Sequence, residues 1–335
     1  FKNDQSTLND ERTIRTTLVD FDKGITSINN YVSWKFRYNE SLTIVSGVHN
    51  MNVLLTEEST IEPRLALNWK FDEKQSVEFG FGNHSTMESV HHYYTKVPNK
   101  DGSVSEPNKN LGLIRANHFV VGYNRRINTN MRIKAEIYHQ DLYNIPVENN
   151  DTSIFATINE GIEYQYVDLV NEGTGENYGI ELTLERFFAN NYYFLINGTL
   201  FNSKYTALDG KKRSTRFDGD FIFNALAGKE FTKLGKDKNK SVAINSKIFY
   251  AGGKKIIPLQ RNEEGVAINQ LNYAKAYEAK LDNLFSLDLS VSYKIEKPKA
   301  THELFLDFVS ITNYQGKIRE FYDDTEENNL SLIHI

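Results

Sequence analysis

The sequence predicts an all-β chain, an antiparallel up-and-down transmembrane β-barrel of which about 12 strands are present. Three observations lead to this fold class. Long runs of residues alternate between apolar and polar side chains, the period of a strand with one apolar and one polar face. Aromatic residues reach 13% although the hydrophobic share is only 39%, so the apolar residues are dispersed among polar ones. Short turns alternate with long connections, which is typical of a barrel whose two rims face different compartments.

The individual strands follow in chain order from the same alternation. Residues 1–24 are polar and irregular, and we expect a loop there. Strands are then predicted at 26–38, 42–50, 61–71, 77–81, 117–127, 131–138, 180–185, 192–202, 221–231, 242–250, 285–294 and 303–311. The clearest alternation is in 285–294, where Phe, Leu, Leu, Val and Tyr alternate with Ser, Asp, Ser, Ser and Lys.

Two kinds of connection join these strands. Short turns are expected near residues 40, 73, 129, 190, 235 and 298, and long connections at 83–115, 144–176 and 251–282. The long connections should all emerge from one rim. Aromatic residues gather at the short-turn ends, as at Trp69 and Phe71. A membrane–water interface selects such aromatics, so lipid is the expected partner of the apolar faces.

Composition excludes several classes of protein. No window approaches ~18 consecutive apolar residues, which argues against a membrane-spanning helix. The net charge is −5, and Lys and Arg are scattered, so no nucleic-acid partner is expected. There is no cysteine, which removes disulfides and thiol chemistry. No Ser, His and Asp arrangement suggests a nucleophile, and we expect neither an enzyme nor a cofactor.

Four segments carry a resemblance to a known family. They resemble the C-terminal barrel of TonB-dependent outer-membrane receptors, and the Bacteroidetes type is the most similar. The resemblance extends from about residue 26 to residue 313. The segments are EPRLALNW at 62–69, EIYHQDLYNIPV at 136–147, NEGTGENYGIEL at 171–182, and LDF at 306–308 followed by ITN at 311–313.

The resemblance implies a barrel of about 22 strands with a plugged lumen. Residues 1–335 are then expected to form one domain, the C-terminal part of the barrel, with the plug domain and the closing strand missing. The segment 330–335, LSLIHI, is interpreted as sequencing read-through rather than as a strand.

The function implied by the resemblance is import of a scarce nutrient, such as a siderophore, vitamin, glycan or peptide, across the outer membrane of a Gram-negative bacterium. The implied partners are outer-membrane lipid, the nutrient, and the TonB-ExbB-ExbD complex through the missing N-terminal part. Two other functions stay open. One is a passive porin, and the other is a soluble secreted adhesin or carbohydrate-binding protein whose apolar faces pack a core.

Two glycine-rich segments have the wrong spacing for nucleotide binding. Gly173, Gly175 and Gly179 depart from a dinucleotide fingerprint and lead into a strand rather than a helix. Gly252-Gly253-Lys254-Lys255 lacks the spacing and the Ser or Thr of a phosphate loop, and a flexible turn is expected there instead.

The long connections supply the candidate ligand-binding residues. We predict that His91, His92, Tyr93 and Tyr94 form an aromatic patch on an extracellular loop, because aromatic rings offer flat apolar contact. Lys254 and Lys255 should attract an anionic group. No metal site is predicted, because adjacent histidines in an extended segment point to opposite sides.

Overall fold

One antiparallel sheet organises the chain. The computed structural model describes residues 2–8, 15–99, 101–160, 165–323 and 330–334. Besides the helix α1 (Val90–Tyr93), this part of the chain has single 3-10 turns at Pro107–Asn110, Thr157–Asn159 and Tyr273–Lys275. Its strands are β1 (Lys2–Leu8), β2 (Arg15–Asp22), β3 (Ser27–Arg37), β4 (Leu42–Val53), β5 (Glu58–Ser59), β6 (Glu62–Asp72), β7 (Gln75–Thr86), β8 (Val97–Pro98), β9 (Val104–Ser105), β10 (Ile114–Asn128), β11 (Met131–Glu148), β12 (Leu169–Ala189), β13 (Tyr192–Thr206), β14 (Lys212–Ser214), β15 (Phe221–Leu234), β16 (Lys240–Ala251), β17 (Lys255–Ile256), β18 (Leu259–Arg261), β19 (Ala267–Leu271), β20 (Ala279–Lys280), β21 (Leu284–Lys297), β22 (Ala300–Phe308), β23 (Lys317–Tyr322) and β24 (Leu330–His334).

The 12 long strands of the sheet are neighbours in the order of the chain. The path is β3-β4-β6-β7-β10-β11-β12-β13-β15-β16-β21-β22, and the short strands β5 and β14 pair with β4 and β13. Each neighbouring pair is antiparallel. The predicted all-β, up-and-down arrangement and its 12 strands are therefore confirmed.

The connections separate into two ends of the sheet, as predicted. Six tight turns join β3–β4, β6–β7, β10–β11, β12–β13, β15–β16 and β21–β22 at one end, and the long connections lie at the other, the long-loop rim. The strands extend further toward that rim than the alternation indicated. β11 continues to Glu148 and β12 begins at Leu169, so the connection between them is shorter than the predicted 144–176.

The two faces of the sheet differ in polarity. Residues directly opposite each other on paired strands share a face, and Leu287 lies opposite Ile248, whereas Ser290 lies opposite Asn245. Polar side chains bond to one another across the second face, as where Asn197 donates to Glu181 at 2.9 Å. The sheet therefore has one apolar and one hydrated face over its whole width.

The apolar face is not covered by protein in the described part of the chain. Val32 is 76% exposed and Leu200 is 62% exposed. The accessible surface is 21039 Å², against about 14,000 Å² for a compact monomer of this mass. The buried apolar clusters lie instead among the long loops and the rim ends of the strands. This arrangement does not fit a soluble sandwich, whose apolar faces would pack against each other.

Aromatic side chains mark the short-turn end of the apolar face. Trp34 and Phe36 stack with ring centroids 5.1 Å apart, and the rings of Trp69 and Phe71 are 5.6 Å apart. Such a belt suits an interface where one side is apolar and the other wet. Among the described residues, no helix has the length and apolarity needed to cross a membrane.

Two sequence-based expectations about the chain ends are wrong. Residues 1–24 are not all loop, because β1 and β2 pair there as antiparallel strands. In β2, Val19 and Phe21 alternate with acidic residues and are buried beneath the long loops, which gives the strand its inward face. Residues 330–334 of the terminal segment also form a strand, β24, which pairs with β23, whereas the read-through origin of the segment stays a prediction.

The glycines of the predicted strand entry lie inside β12 itself. A Cβ on Gly173 would come within 2.8 Å of the Ile145 carbonyl oxygen, and one on Gly179 within 2.6 Å of the Leu200 carbonyl oxygen. Glycine here permits close approach of neighbouring strands rather than binding of a phosphate.

We expect Leu287→Arg or Leu289→Arg to block assembly of the barrel in the membrane, because a charge on a lipid-facing strand near mid-depth costs ~2–4 kcal/mol. Ser290→Arg, on the opposite face and next to Asp307 of β22, should be tolerated. The amount of each variant in the outer-membrane fraction is the measurement. Equal amounts of all three would show that the faces are assigned wrongly.

Candidate functional site

The first feature of the long-loop rim is a small folded unit around α1. Its core, which we call the α1 cluster, contains the buried residues Val19, Phe21, Tyr93, Tyr94, Leu111 and Leu169. The strand β2 closes one side, since the Lys96 N–H donates to the Leu18 carbonyl at 2.7 Å. The rings of Phe21 and Tyr94 stack with centroids 4.8 Å apart. The long connection after β7 is therefore packed against the segment that precedes the sheet.

The aromatic patch predicted at residues 91–94 is not a surface feature. His92 and Tyr93 are fully buried, and His91 and Tyr94 are almost so. Burial raises the pKa of Tyr93 to about 12, and its hydroxyl oxygen accepts a hydrogen bond from the Glu88 N–H at 3.3 Å. The expectation of exposed rings is wrong because these side chains form the core of the loop.

Two histidines and one carboxylate meet inside this unit. His91 and His92 lie on the same helical turn with ring centroids 4.3 Å apart. Nε2 of His92 is 2.6 Å from Oε2 of Glu160, on the connection between β11 and β12. Burial and the neighbouring His92 lower the pKa of His91 to about 4, against the opposing effect of Glu160. His91 is therefore neutral at physiological pH.

The sequence contains no local signal for this grouping. Glu160 lies 68 residues from His92. Glu88, which is close in sequence, bonds instead to the hydroxyl of Thr157. His84 lies beside His118 with ring centroids 4.6 Å apart and the rings tilted by 44°. Only the fold brings the second loop against the first.

The second feature of the rim is a buried carboxylate, Asp218, which holds two lysines. Its Oδ2 accepts hydrogen bonds from Lys204 Nζ at 3.1 Å and from Lys255 Nζ at 3.0 Å, and its Oδ1 accepts from the Ser203 N–H at 3.1 Å. Burial alone would raise the pKa of Asp218, but the hydrogen bonds from Ser214, Lys255 and Lys204 outweigh it and lower the pKa. Lys255 therefore fixes the loop to the sheet.

The side chain of Lys254 has a different environment from that of Lys255. Its side chain is exposed, and Nζ lies 5.7 Å from the centroid of the Phe217 ring, which is 44% exposed. A cation above an exposed aromatic ring offers a solute both a charge and a flat apolar surface. The sequence identified Lys254 but not Phe217, because the pairing of the two loops is not visible in a periodic pattern.

A groove of about 640 Å³ runs across strands β3, β4, β6, β7 and β10. Its lining includes Tyr31, His49, Arg64, His84 and His118. His49 is held by Glu62, with Nδ1 and Oε2 2.8 Å apart. The volume lies in the range of small-molecule sites.

A family model described as TonB dependent receptor-like, beta-barrel matches residues 2–313. No curated protein matches the chain.

Solved structures share the fold at low sequence identity. The outer membrane transporter YddB from Escherichia coli has a TM-score of 0.62 and 11% identity, over 96% of this chain and 44% of that one. The FrpB iron transporter from Neisseria meningitidis has a TM-score of 0.55 and 13% identity, over 92% and 44%. BauA, the ferric preacinetobactin receptor from Acinetobacter baumannii, has a TM-score of 0.61 and 11% identity, over 92% and 41%. The chain thus spans less than half the length of these proteins.

We expect Asp218→Asn to loosen the rim, since a hydrogen bond to a charged group contributes about 1.5–3 kcal/mol. The Thr215 N–H donates to the Ser203 carbonyl at 2.9 Å and the Lys255 N–H to the Arg216 carbonyl at 3.0 Å, and hydrogen exchange at these two amides should become faster. In the unsubstituted protein the lowered pKa means that the stabilisation is present above the unfolded value of about 3.9 and is lost as the pH falls through the folded value.

The control is Asp220→Asn, because Asp220 is half exposed, bonds to Lys280 at 2.9 Å and lies 3.9 Å from Lys255 Nζ, a longer and more exposed contact than that of Asp218. Exposed pairs contribute about 0–1 kcal/mol, so exchange at the same two amides should hardly change. Equal acceleration in both variants would contradict the role given to Asp218.

Proposed function

Because the chain belongs to the family of TonB-dependent receptor-like β-barrels, we propose that it is part of a receptor that binds a scarce nutrient and imports it with energy delivered through TonB. The family is one of transporters of the Gram-negative outer membrane, and the barrel is not an enzyme. The observation that carries the proposal is the exposed apolar face, on which Val32 and Leu200 are more than half exposed. Outer-membrane lipid is the partner that would cover this face.

The remaining parts of such a receptor lie outside this chain in the proposal. We place residues 1–335 as one domain in the C-terminal part of the barrel, with the plug and the closing strand supplied elsewhere. The contact with TonB-ExbB-ExbD would then belong to the N-terminal part. The Bacteroidetes type is supported by the four quoted segments alone.

A ferric siderophore is the substrate class that we favour. FrpB is described as an iron transporter and BauA as a ferric preacinetobactin receptor. The exposed Lys254 and Phe217 support the same class, since many iron chelates combine negative charge with aromatic groups. Vitamins, glycans and peptides are the other classes to be tested.

Direct ligand contact in this proposal falls to the exposed residues of the rim. Lys254 stays in the set that the sequence predicted. Lys255 is committed to Asp218, and His91, His92, Tyr93 and Tyr94 shape the loop from within. Their contribution to binding would be to hold the loop in place.

Uptake by the completed gene product tests the function. In a host without its own siderophore receptors, we expect accumulation of a radiolabelled ferric siderophore that is lost when TonB is deleted. A panel of cobalamin, oligosaccharides and peptides covers the other substrates. Uptake of any of them that persists without TonB would indicate a passive porin and overturn the proposal.

Lys254→Glu should weaken binding of an anionic ferric chelate to the completed receptor by up to about fivefold, because an exposed charge contributes no more than about 1 kcal/mol. Lys236→Glu, on the turn between β15 and β16 at the opposite end, makes the same change in net charge and should have no effect. Equilibrium binding to cells, with barrel amounts matched, is the measurement. If both variants bind the chelate like the unsubstituted protein, Lys254 does not contribute to ligand binding.

A further inference from the structure

Two loops that are far apart in sequence present three metal-ligating side chains to one point. The ligand atoms of His91, His92 and Glu160 all lie within 4.8 Å of one another. In an extended segment, adjacent histidines would point to opposite sides. The segment is helical instead, and the two imidazoles face the same space.

We propose that His91, His92 and Glu160 bind a divalent transition-metal ion, with Zn²⁺ as the best fit. Two imidazole nitrogens and one carboxylate oxygen form a common zinc ligand set, and a water molecule completes the tetrahedron. Imidazole ligands disfavour Mg²⁺ and Ca²⁺, which prefer oxygen.

The ligand separations lie on both sides of the value that a zinc ion needs, from 2.6 Å up to at most 4.8 Å. Tetrahedral ligands at about 2.0–2.1 Å from zinc lie roughly 3.3 Å from each other. The His92 Nε2 to Glu160 Oε2 separation is 2.6 Å, so the two side chains must part by less than about 1 Å to admit the ion.

The surroundings orient the ligands, as the outer shell of a metal site does. The Gln165 N–H donates to Oε1 of Glu160 at 2.8 Å, so that Oε2 is the oxygen that faces His92. The Thr95 hydroxyl donates to the His91 carbonyl at 3.1 Å and fixes the helical turn. Asn159, which precedes Glu160, accepts a hydrogen bond from the Arg216 N–H at 2.9 Å. This bond connects the loop after β11 to the loop between β14 and β15.

The site would act as a clip between loops rather than as a cargo site. His92 is fully buried and Glu160 is 9% exposed at its side chain, so the ion would be enclosed by protein. It would join the connection after β7 to the connection after β11, at the rim where the proposed substrate enters. The inference does not depend on the proposed function, because a bound ion can be measured without any transport.

The test uses the completed, purified receptor, stripped with a chelator and titrated with ZnCl₂ in a calorimeter. We expect one Zn²⁺ per chain, and no saturable binding of Mg²⁺. Glu160→Gln keeps the size of the side chain and should lower zinc affinity at least tenfold. The control is Glu88→Gln, which replaces a carboxylate on the loop of His91 and His92 that is bonded to Thr157. This variant should bind zinc like the unsubstituted protein.

X-ray absorption at the zinc edge supplies a second readout, with nitrogen and oxygen neighbours at about 2.0–2.1 Å and an imidazole signature. Circular dichroism and elution volume in detergent establish that the Glu160→Gln protein is folded. The proposal is overturned if the unsubstituted receptor binds no zinc, if Glu160→Gln binds it equally well, or if Glu88→Gln is the variant that loses it.

Discussion

A strand that faces lipid must satisfy all its backbone N–H and C=O groups within the sheet, because hydrocarbon offers no hydrogen-bond partner. The rest of this structure depends on that constraint. Pairing each strand with the next one along the chain meets it with the shortest turns, and the 12 long strands do so without a crossover. The period of two then divides the side chains between lipid and lumen. Because lipid covers the apolar face, the sheet needs no second layer of protein packed against that face.

The usual relation between core and loops is reversed here. In the sheet, large apolar side chains such as Leu304 are more than half exposed, whereas the fully buried ones, including Tyr93 and Ile145, lie in or beside the long connections. The loops at this rim are therefore small folded units with apolar centres and internal ion pairs. A loop of this kind holds its outer residues in place, and an exposed pair such as Lys254 and Phe217 gains a defined geometry.

The sheet could be predicted from the sequence because its signal is local. Alternation over about ten residues, as in 285–294, reports which face each side chain takes, and the tight turns follow from the breaks in that alternation. The rim could not be predicted in this way. Glu160 contacts His92, and Asp218 contacts Lys255, because loops pack together. Neither contact produces a periodic pattern in the sequence. β2 could not be predicted for a similar reason, since its buried face consists of only Val19 and Phe21, too few positions to establish an alternation.

The packing of β2 against the α1 cluster has a consequence for the order of assembly. Val19 and Phe21 come before the first strand of the sheet, yet their neighbours Tyr94, Leu111 and Leu169 come after β7, β9 and β11. Contacts between residues so distant in the chain form slowly, because a long segment must first be closed into a loop. The hairpins of the sheet can form from neighbouring segments as the chain is inserted. The rim unit must wait for strands on both sides of it, so the long-loop rim forms last.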